Sequence, residues 1–384
     1  DFVRAVREDP MRPGLLYAAS ERTVYVSWND GIEWQPLTRN LPVVQVSDLV
    51  VEDHDLVIST HGRAFWVMRN IDILRQLSPE VATSDFWVFD PRDPVRRFDN
   101  TADVFYNLPS GADEVQIEFA DARGNVLGSY TSTAPAADST ADSTPDSTST
   151  GGRVATVRPR PSKMQGSHRF RWNMRIDGWT DFEGRIFWAA GNQGPAVPPG
   201  AYQVRVTVDG ETKTQDFEIK MNPRALADGV TAADLQERFD FAVRIRDEVT
   251  VAHEAVLRIR SINAQVDDRL EESDNSELAA LGGTVKERLG GVEGEIYQVR
   301  NRSNQDPLNY PIKLNNKIAA LQSLVEGPEN RPTDQSYEVF DVLSSALGQR
   351  LEQMTLIIQQ DLARLNALLR ELGLEPIDAE RLIT

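Results

Sequence analysis

Ser27-Trp28-Asn29-Asp30-Gly31-Ile32-Glu33-Trp34 carries the spacing S-x-N-x-G-x-x-W. Alternating apolar runs flank it, Leu15-Leu16-Tyr17-Ala18-Ala19 and Thr23-Val24-Tyr25-Val26 before, Trp34-Gln35-Pro36-Leu37 after. That alternation is the pattern of half-buried strands, so the stretch is expected on a hairpin. The spacing has a physical logic. The Asn29 side chain can hydrogen-bond its own turn backbone, Gly31 can take the positive φ that the reversal needs, and Ser27 can satisfy a further turn amide. Trp34 then re-enters the next strand and is expected to pack a large apolar face under the turn.

Ser27, Asn29, Gly31 and Trp34 together resemble the Asp-box (BNR) turn of sialidase-like β-propellers. The usual form of that turn has Asp where this chain has Asn29, and often Thr where it has Glu33; both departures keep hydrogen-bonding groups. Working outward, residues 1 to 79 read as short strands only. Phe2 to Glu8, Leu15 to Ser20, Thr23 to Ser27 and Trp34 to Leu37 make one up-and-down sheet the size of a propeller blade. Val46 to Glu52, Asp55 to Thr60 and Ala64 to Arg69 supply three strands of a second before Asn70-Ile71-Asp72 breaks the pattern.

The order D-P-x-x-P-G-L-L-Y-A at Asp9 to Ala18, V-Y-V-S-x-x-D-G-x-x-W at Val24 to Trp34, L-P-V-x-x-V-x-D-L-V-V at Leu41 to Val51 and T-H-G-R-x-F-W-V at Thr60 to Val67 is similar to the last blades of large bacterial BNR-repeat proteins, labelled glycosyl hydrolase or sortilin-like (VPS10-type) propellers. The resemblance extends over nearly the whole chain. It implies one whole blade and one incomplete blade, the latter completed by a strand from elsewhere. With neither an initiator Met nor a signal peptide at Asp1, the chain is expected to be a piece of a longer protein.

The remaining 300 or so residues divide by periodicity. Residues 80–98 read as a connector interrupted by Pro91 and Pro94, with Phe86-Trp87-Val88-Phe89 as an apolar patch that docks it on a neighbour. From 99 to 221 strand candidates resume at Val104–Tyr106, Val115–Phe119, Val126–Tyr130, His168–Met174, Arg185–Trp188, Tyr202–Val208 and Thr214–Ile219. Their number and turns predict an immunoglobulin-like β-sandwich. Residues 133–152, with three Asp-Ser-Thr units and no large apolar side chain, are read as a disordered insert.

From 226 to 384 the period becomes 3.6. Thr231 and Asp234 imitate a capping box, and Leu235, Phe239, Ala242, Ile245, Val249, Ala252, Val256 and Ile259 line one helix face. Phe340, Leu343, Leu347, Leu351, Met354, Ile358, Leu362, Leu365, Leu369 and Leu372 line another. A helix at 276–301, weakened by its glycines, and a shorter one from Ile312 to Val325 complete a four-helix bundle. The expected fold is thus multidomain β plus α: blade remnant, sandwich, helical bundle.

Composition narrows the chemistry. A net charge of −18 argues against phosphate-backbone binding, so nucleic acid is not an expected partner. No apolar run reaches the 18 residues that a membrane-spanning helix needs. Cysteine is absent and the four histidines stand far apart, at His54, His61, His168 and His253, with no H-E-x-x-H spacing. No G-x-S-x-G elbow, P-loop or dinucleotide fingerprint occurs, and no cofactor is implied.

A sialidase-like site needs an arginine cluster, a Tyr/Glu pair and an aspartate drawn from several blades, and at most two blades are present here. No catalytic residue is therefore assigned. His61 and Arg63, beside Gly62, are read first as turn residues and second as contacts for an anionic or sugar ligand. Trp66, Trp87, Trp172 and Trp188 read as core; Trp179, inside Asp177-Gly178-Trp179-Thr180-Asp181, reads as a loop residue able to stack on a sugar ring. The expected function is a non-catalytic scaffold or binding module of an extracytoplasmic bacterial protein, with a protein or carbohydrate ligand at the propeller and self-association through the helices. The alternatives are an appendage of a sialidase-like or xyloglucanase-like glycoside hydrolase, or of a sortilin-like peptide-binding propeller.

Overall fold

In the computed structural model, which describes residues 2–133 and 158–381, three hydrophobic cores follow one another along the chain. The architecture is mixed β and α: small antiparallel sheets first, a helical region last.

The first core lies between two sheets. One runs β1 (Val3–Glu8), β2 (Leu16–Ser20), β3 (Val24–Ser27), β4 (Gln35–Pro36) in that order. The other runs β5 (Val46–Glu52), β6 (Asp55–Thr60), β7 (Phe65–Met68). Strands β1 and β2 pack on β5. Side-chain alternation turns Tyr17, Val24 and Val26 of one sheet and Leu49, Leu56 and Ile58 of the other into the shared core. Among the described residues no sheet closes into a barrel or ring.

The strand pattern breaks at Asn70-Ile71-Asp72 as expected, and a short helix, α1 (Asp72–Gln76), starts there; Ile71 before it and Leu74 within it plug the same core. A helix this short cannot satisfy its own terminal carbonyls. Arg12 Nη1 does so, donating to the carbonyls of Leu74, Arg75 and Leu77 at 2.9 Å each. Asp9, buried, accepts from Arg75 Nε at 3.0 Å and from the Met11 and Arg12 amides. Arg75 also pairs with Asp72 at 2.6 Å.

Residues 80–98 carry regular elements that the prolines had argued against. Helix α2 (Pro79–Thr83) leads to β8 (Trp87–Val88), which pairs with the next strand along the chain, Trp87 opposite Asn107. The Phe86–Phe89 patch docks as expected, with Phe86 and Val88 in the second core.

That second core is enclosed by β9 (Ala102–Leu108), β10 (Val115–Asp121), β11 (Val126–Thr131), β12 (Gly166–Trp172), β13 (Gly200–Val208) and β14 (Glu211–Ile219). They form sheets ordered β11-β10-β13-β14 and β12-β9-β8. The apolar faces meet through aromatic rings, Phe119 stacked on Trp172 with centroids 4.3 Å apart. Asp209 and Gly210 both adopt positive φ, +48° and +91°, as a two-residue hairpin between β13 and β14 demands.

One expected strand is absent. Arg185–Trp188 forms no strand; its segment leaves the sheets and delivers Trp179, Phe182 and Phe187 to the third core. The edge position is taken by β8 from the connector. The insert expected over 133–152 lies, apart from Thr133, outside the described residues.

The third core is helical: α3 (Pro223–Ala227), α4 (Ala232–Glu271), α5 (Ser276–Ile296), α6 (Leu314–Glu326), α7 (Asp334–Ile357) and α8 (Ala363–Glu371). Helix α4 starts at the capping box, Thr231 Oγ1 accepting from the Asp234 amide at 3.2 Å and Asp234 Oδ2 from the Thr231 amide at 2.8 Å. Helix α5 is continuous through its glycines. A Cβ on Gly282 would sit 3.0 Å from Val266 Cγ1, so this glycine lets α5 approach α4 closely, while Gly283 faces open space.

Helices α7 and α8 are joined by a π-helical turn, Ile358–Leu362. The extra residue shifts the apolar face by part of a turn, and Met354, Ile357, Leu362, Leu365 and Leu369 are buried; Leu372, expected on that face, caps the end of α8 and is exposed.

Candidate functional site

The Asp-box-like turn folds its polar groups onto itself. Ser27 Oγ accepts from the Gly31 amide at 3.0 Å and lies 3.0 Å from Asn29 Oδ1, to which it donates. Asn29 Oδ1 also accepts from the Glu33 amide at 2.9 Å. Asp30 and Gly31 take positive φ, +56° and +81°. Ser27, Asn29 and Gly31 are thus spent on backbone geometry, with no group aimed at a ligand.

Trp34 departs from expectation. Its ring lies across the turn, Nε1 donating to the Gly31 carbonyl at 3.0 Å, but the residue keeps 37% of its surface exposed. β4 is an edge strand of two residues, too short to cover an indole. The anchor is instead Trp28, half-buried, which packs against the first core and donates to the Leu74 carbonyl at 2.9 Å. Sequence reasoning passed over it because it stands at a variable position of the motif.

His61 and Arg63 sit on the β6–β7 hairpin, both exposed. The turn uses their backbone: the His61 amide donates to Gln45 O at 2.9 Å, and Arg63 O accepts from Trp66 Nε1 at 2.9 Å. Trp179 is remote from them. It is only 3% exposed, inside the helical core beside Phe187, which overturns the sugar-platform reading. Its flanking Asp and Gly residues belong to a loop, but the loop is tucked between layers. Trp188, expected in a core, is 44% exposed, while Trp172 is fully buried.

The same segment surrounds a buried histidine. His253, on α4 and fully buried, has Nδ1 2.6 Å from the Thr180 carbonyl. A carbonyl only accepts, so Nδ1 carries the proton and Nε2 is the bare nitrogen. Phe182 and Phe187 present their edges at 4.8 and 5.6 Å between centroids. Burial pushes the imidazole pKa down to about 4. The ring itself is closed off from solvent, so His253 serves packing.

The stretch from Asp306 to Lys317 is likewise structural. Asp306 gathers the Arg302 and Ser303 amides, Gln298 bonds the Pro311 carbonyl, and Asn316 pairs with both backbone groups of Trp188 at 2.8 Å. It fastens the 176–197 segment to the helices. Nearby, the second and third cores are joined by ion pairs. Glu329 accepts from Arg96 Nε at 2.9 Å and lies 3.8 Å from Arg238, and Glu326 holds Arg175 at 3.1 Å and the Ala196 amide at 2.8 Å. Burial, then the Arg96 charge, push Arg238 down to about 10.

What sequence reasoning did not find is a cleft of about 620 Å³ between the first two cores. One wall is β7 and the segment after β4; the other is the outer face of β9 and β12. Arg39, Arg69, His168 and Arg169 line it with Trp66 and Phe105, and no carboxylate does. It continues past Arg69 and Arg169 into a second hollow, where Arg92, Arg171, Asp55, Asp99 and Asp103 mix both signs. Its residues come from positions 37–73, 105 and 167–169, so no local signal could have grouped them.

Among the described residues no cluster of three or more His, Asp or Glu is arranged to hold a metal, and no helix is long and apolar enough to cross a membrane. No protein-family model matches the chain, and a search of curated proteins finds no relative.

Proposed function

We propose that this chain is the non-catalytic scaffold and binding portion of an extracytoplasmic bacterial protein of the Asp-box (BNR) β-propeller type. In this reading the two stacked sheets are consecutive blades, the second completed by a strand from outside the described residues. The paired sheets of the second core form an immunoglobulin-like sandwich, and the helices form a bundle that buttresses it. The observation that carries the reading is the turn at Ser27–Trp34: its side chains close on its own amides, on the last hairpin of a four-stranded up-and-down sheet whose first two strands pack on a three-stranded sheet.

The polar chemistry supports a binding rather than a catalytic role. The candidate glycan contacts His61, Arg63 and Trp179 do not converge, and the carboxylates that are buried among the described residues, Asp9 and Glu293, are committed to arginines. A glycosidase needs two carboxyl groups facing one sugar across roughly 5 to 10 Å, and the cleft's lining offers none. The test is a hydrolysis assay of the folded chain against sialosides and β-glucans. No turnover above buffer is expected. Turnover that follows the protein through purification and vanishes on a single Asp or Glu substitution would refute a non-catalytic role.

A further inference from the structure

We propose that the junction between the second and third cores holds one phosphate group, gripped by Arg97, Arg175 and Arg238 from three separate segments. With Arg96 they line a hollow of about 160 Å³. Arg96 and Arg97 come from the connector, Arg175 from the segment after β12 and Arg238 from α4. None of them belongs to the sheets of the first core, so the site does not depend on how those sheets are completed. Charge is out of balance in the hollow. Its lining carboxylates are Asp99 and Glu326, and Glu329 stands 2.9, 3.9 and 3.8 Å from Arg96, Arg97 and Arg238. Asp99 is engaged by Arg92 at 3.5 Å and by the Val95 amide at 2.8 Å. Four guanidiniums therefore share two carboxylates, in a chain whose net charge is −18. Glu326 has little left to give, since it already accepts from Arg175 at 3.1 Å, the Ala196 amide at 2.8 Å and Gln322 at 3.0 Å.

Arg238 is the least satisfied of the four. It is only 2% exposed, yet its one hydrogen bond among the described residues goes to the Pro328 carbonyl, and 3.8 Å to Glu329 is too long for another. A guanidinium has five N–H donors, so most of these lack a protein acceptor. Burial, then the Arg96 charge, hold the Arg238 pKa down at about 10, in keeping with positive charge short of its counter-charge. Arg97 and Met174, both at the hollow, also hold left-handed backbone, φ +64° and +55°, a costly conformation for side chains of that size. The donors select the ligand. Guanidiniums that converge from three segments suit an anion with oxygens in several directions, which a phosphate has and a planar carboxylate or a chloride ion has not. At about 30 Å³ per water the hollow has room for about five waters, which matches the five heavy atoms of phosphate. The bound anion would tie the connector and the segment after β12 to α4, so that binding also raises stability.

The test is isothermal titration calorimetry of the full chain with inorganic phosphate at fixed ionic strength, with sodium chloride and glycerol 1-phosphate as comparisons. Phosphate is expected to bind once per chain and to raise the midpoint of thermal unfolding; chloride is expected to do neither. Arg97→Gln and Arg175→Gln should each weaken binding about tenfold or more, whereas Arg364→Gln, exposed on α8, should leave it unchanged. Arg238→Met should abolish it. If that buried variant does not fold, Arg97→Gln carries the test, because its side chain is half-exposed. Tighter binding of the ester than of phosphate would support the site with a larger phosphomonoester as its source, and the reverse order would support it with the free ion. No saturable binding of either, an equal effect of chloride, or binding that survives both Arg97→Gln and Arg175→Gln would each overturn the proposal.

Discussion

Acidification should unfold this protein partly through one histidine. His253 is neutral in the fold, its proton fixed on Nδ1 by the Thr180 carbonyl and its ring enclosed by Phe182 and Phe187. The charged groups that bear on it are Asp181 and Arg185 from the loop and Arg260 from its own helix, but burial is the largest influence and holds the pKa near 4. In the unfolded chain the ordinary value of about 6.5 returns. The unfolded state therefore binds a proton first as pH falls. The contribution is fully present above pH 6.5, is lost progressively between 6.5 and 4, and changes no further below 4. A difference of about 2.5 pH units, at about 1.4 kcal/mol each, makes the loss about 3 kcal/mol. His253→Gln keeps an N–H donor for the Thr180 carbonyl and cannot titrate. Urea unfolding followed by tryptophan fluorescence, at pH 7.5 and at pH 4, gives the comparison. The wild type should lose about 3 kcal/mol more than the variant over that interval, since all carboxylates titrate alike in both. If the two proteins lose stability in parallel, His253 is not the buried neutral base described here.

Three further perturbations separate packing from geometry. Trp34→Ala should cost only about 1 kcal/mol because the ring is half in solvent, whereas Trp172→Ala should cost about 3 to 5 kcal/mol and Asn29→Ala about 1 to 2 kcal/mol through unpaired turn amides; denaturant unfolding that ranked Trp34 with Trp172 would contradict the placement of β4. Glu329→Ala leaves the buried guanidiniums of Arg96 and Arg238 without their carboxylate and should cost about 3 to 5 kcal/mol, in calorimetry separating a sandwich transition from a helical one; a single transition with an unshifted midpoint would show that Glu329 is not what couples the two cores. Gly283→Ala, pointing into open space, should stabilise α5 by about 0.5 to 1 kcal/mol, while Gly282→Ala, whose Cβ would press on Val266, should gain nothing or lose stability; equal gains would mean that α4 and α5 are not in close contact there.

Local pattern carried the regular elements well, and the reasons are physical. Strands between residues 2 and 69 alternate because each sheet of the first core buries one face, and the helices from 232 onward repeat at 3.6 because each buries a stripe. The failures share a cause. Arg185-Ile186-Phe187-Trp188 has the composition of a strand, but composition does not say which core will receive its aromatics, and here the helical core does. Trp179 stands among Asp, Gly and Thr and reads as exposed, yet its backbone is covered by α4, to which Arg246 and Thr250 tie it. The rotation of the last helix at Ile358–Leu362 is invisible because every leucine around it would also fit an unbroken α-helix.

The cleft shows the same limit in the property that matters for function. Arg39 follows the two-residue edge strand β4, Arg69 follows β7, and Arg169 lies on the outer face of β12, each an ordinary surface arginine in its own neighbourhood. They become a set only because β8 and the connector draw the second pair of sheets against the first, with Gln76 exchanging hydrogen bonds with the backbone of Asp90 at 2.7 and 3.0 Å. The short helix α1 is pinned in turn by Arg12 and by the Asp9–Arg75 pair. The connector that the prolines marked as irregular is thus what fixes the distance between the two walls of the cleft and their arginines. Loosening it, for example by Gln76→Ala, should speed hydrogen exchange at Asp90 and along the β8–β9 pairing while leaving each of the flanking cores at its own stability. Faster exchange together with an unfolded first core would instead assign Gln76 to the fold of that core alone.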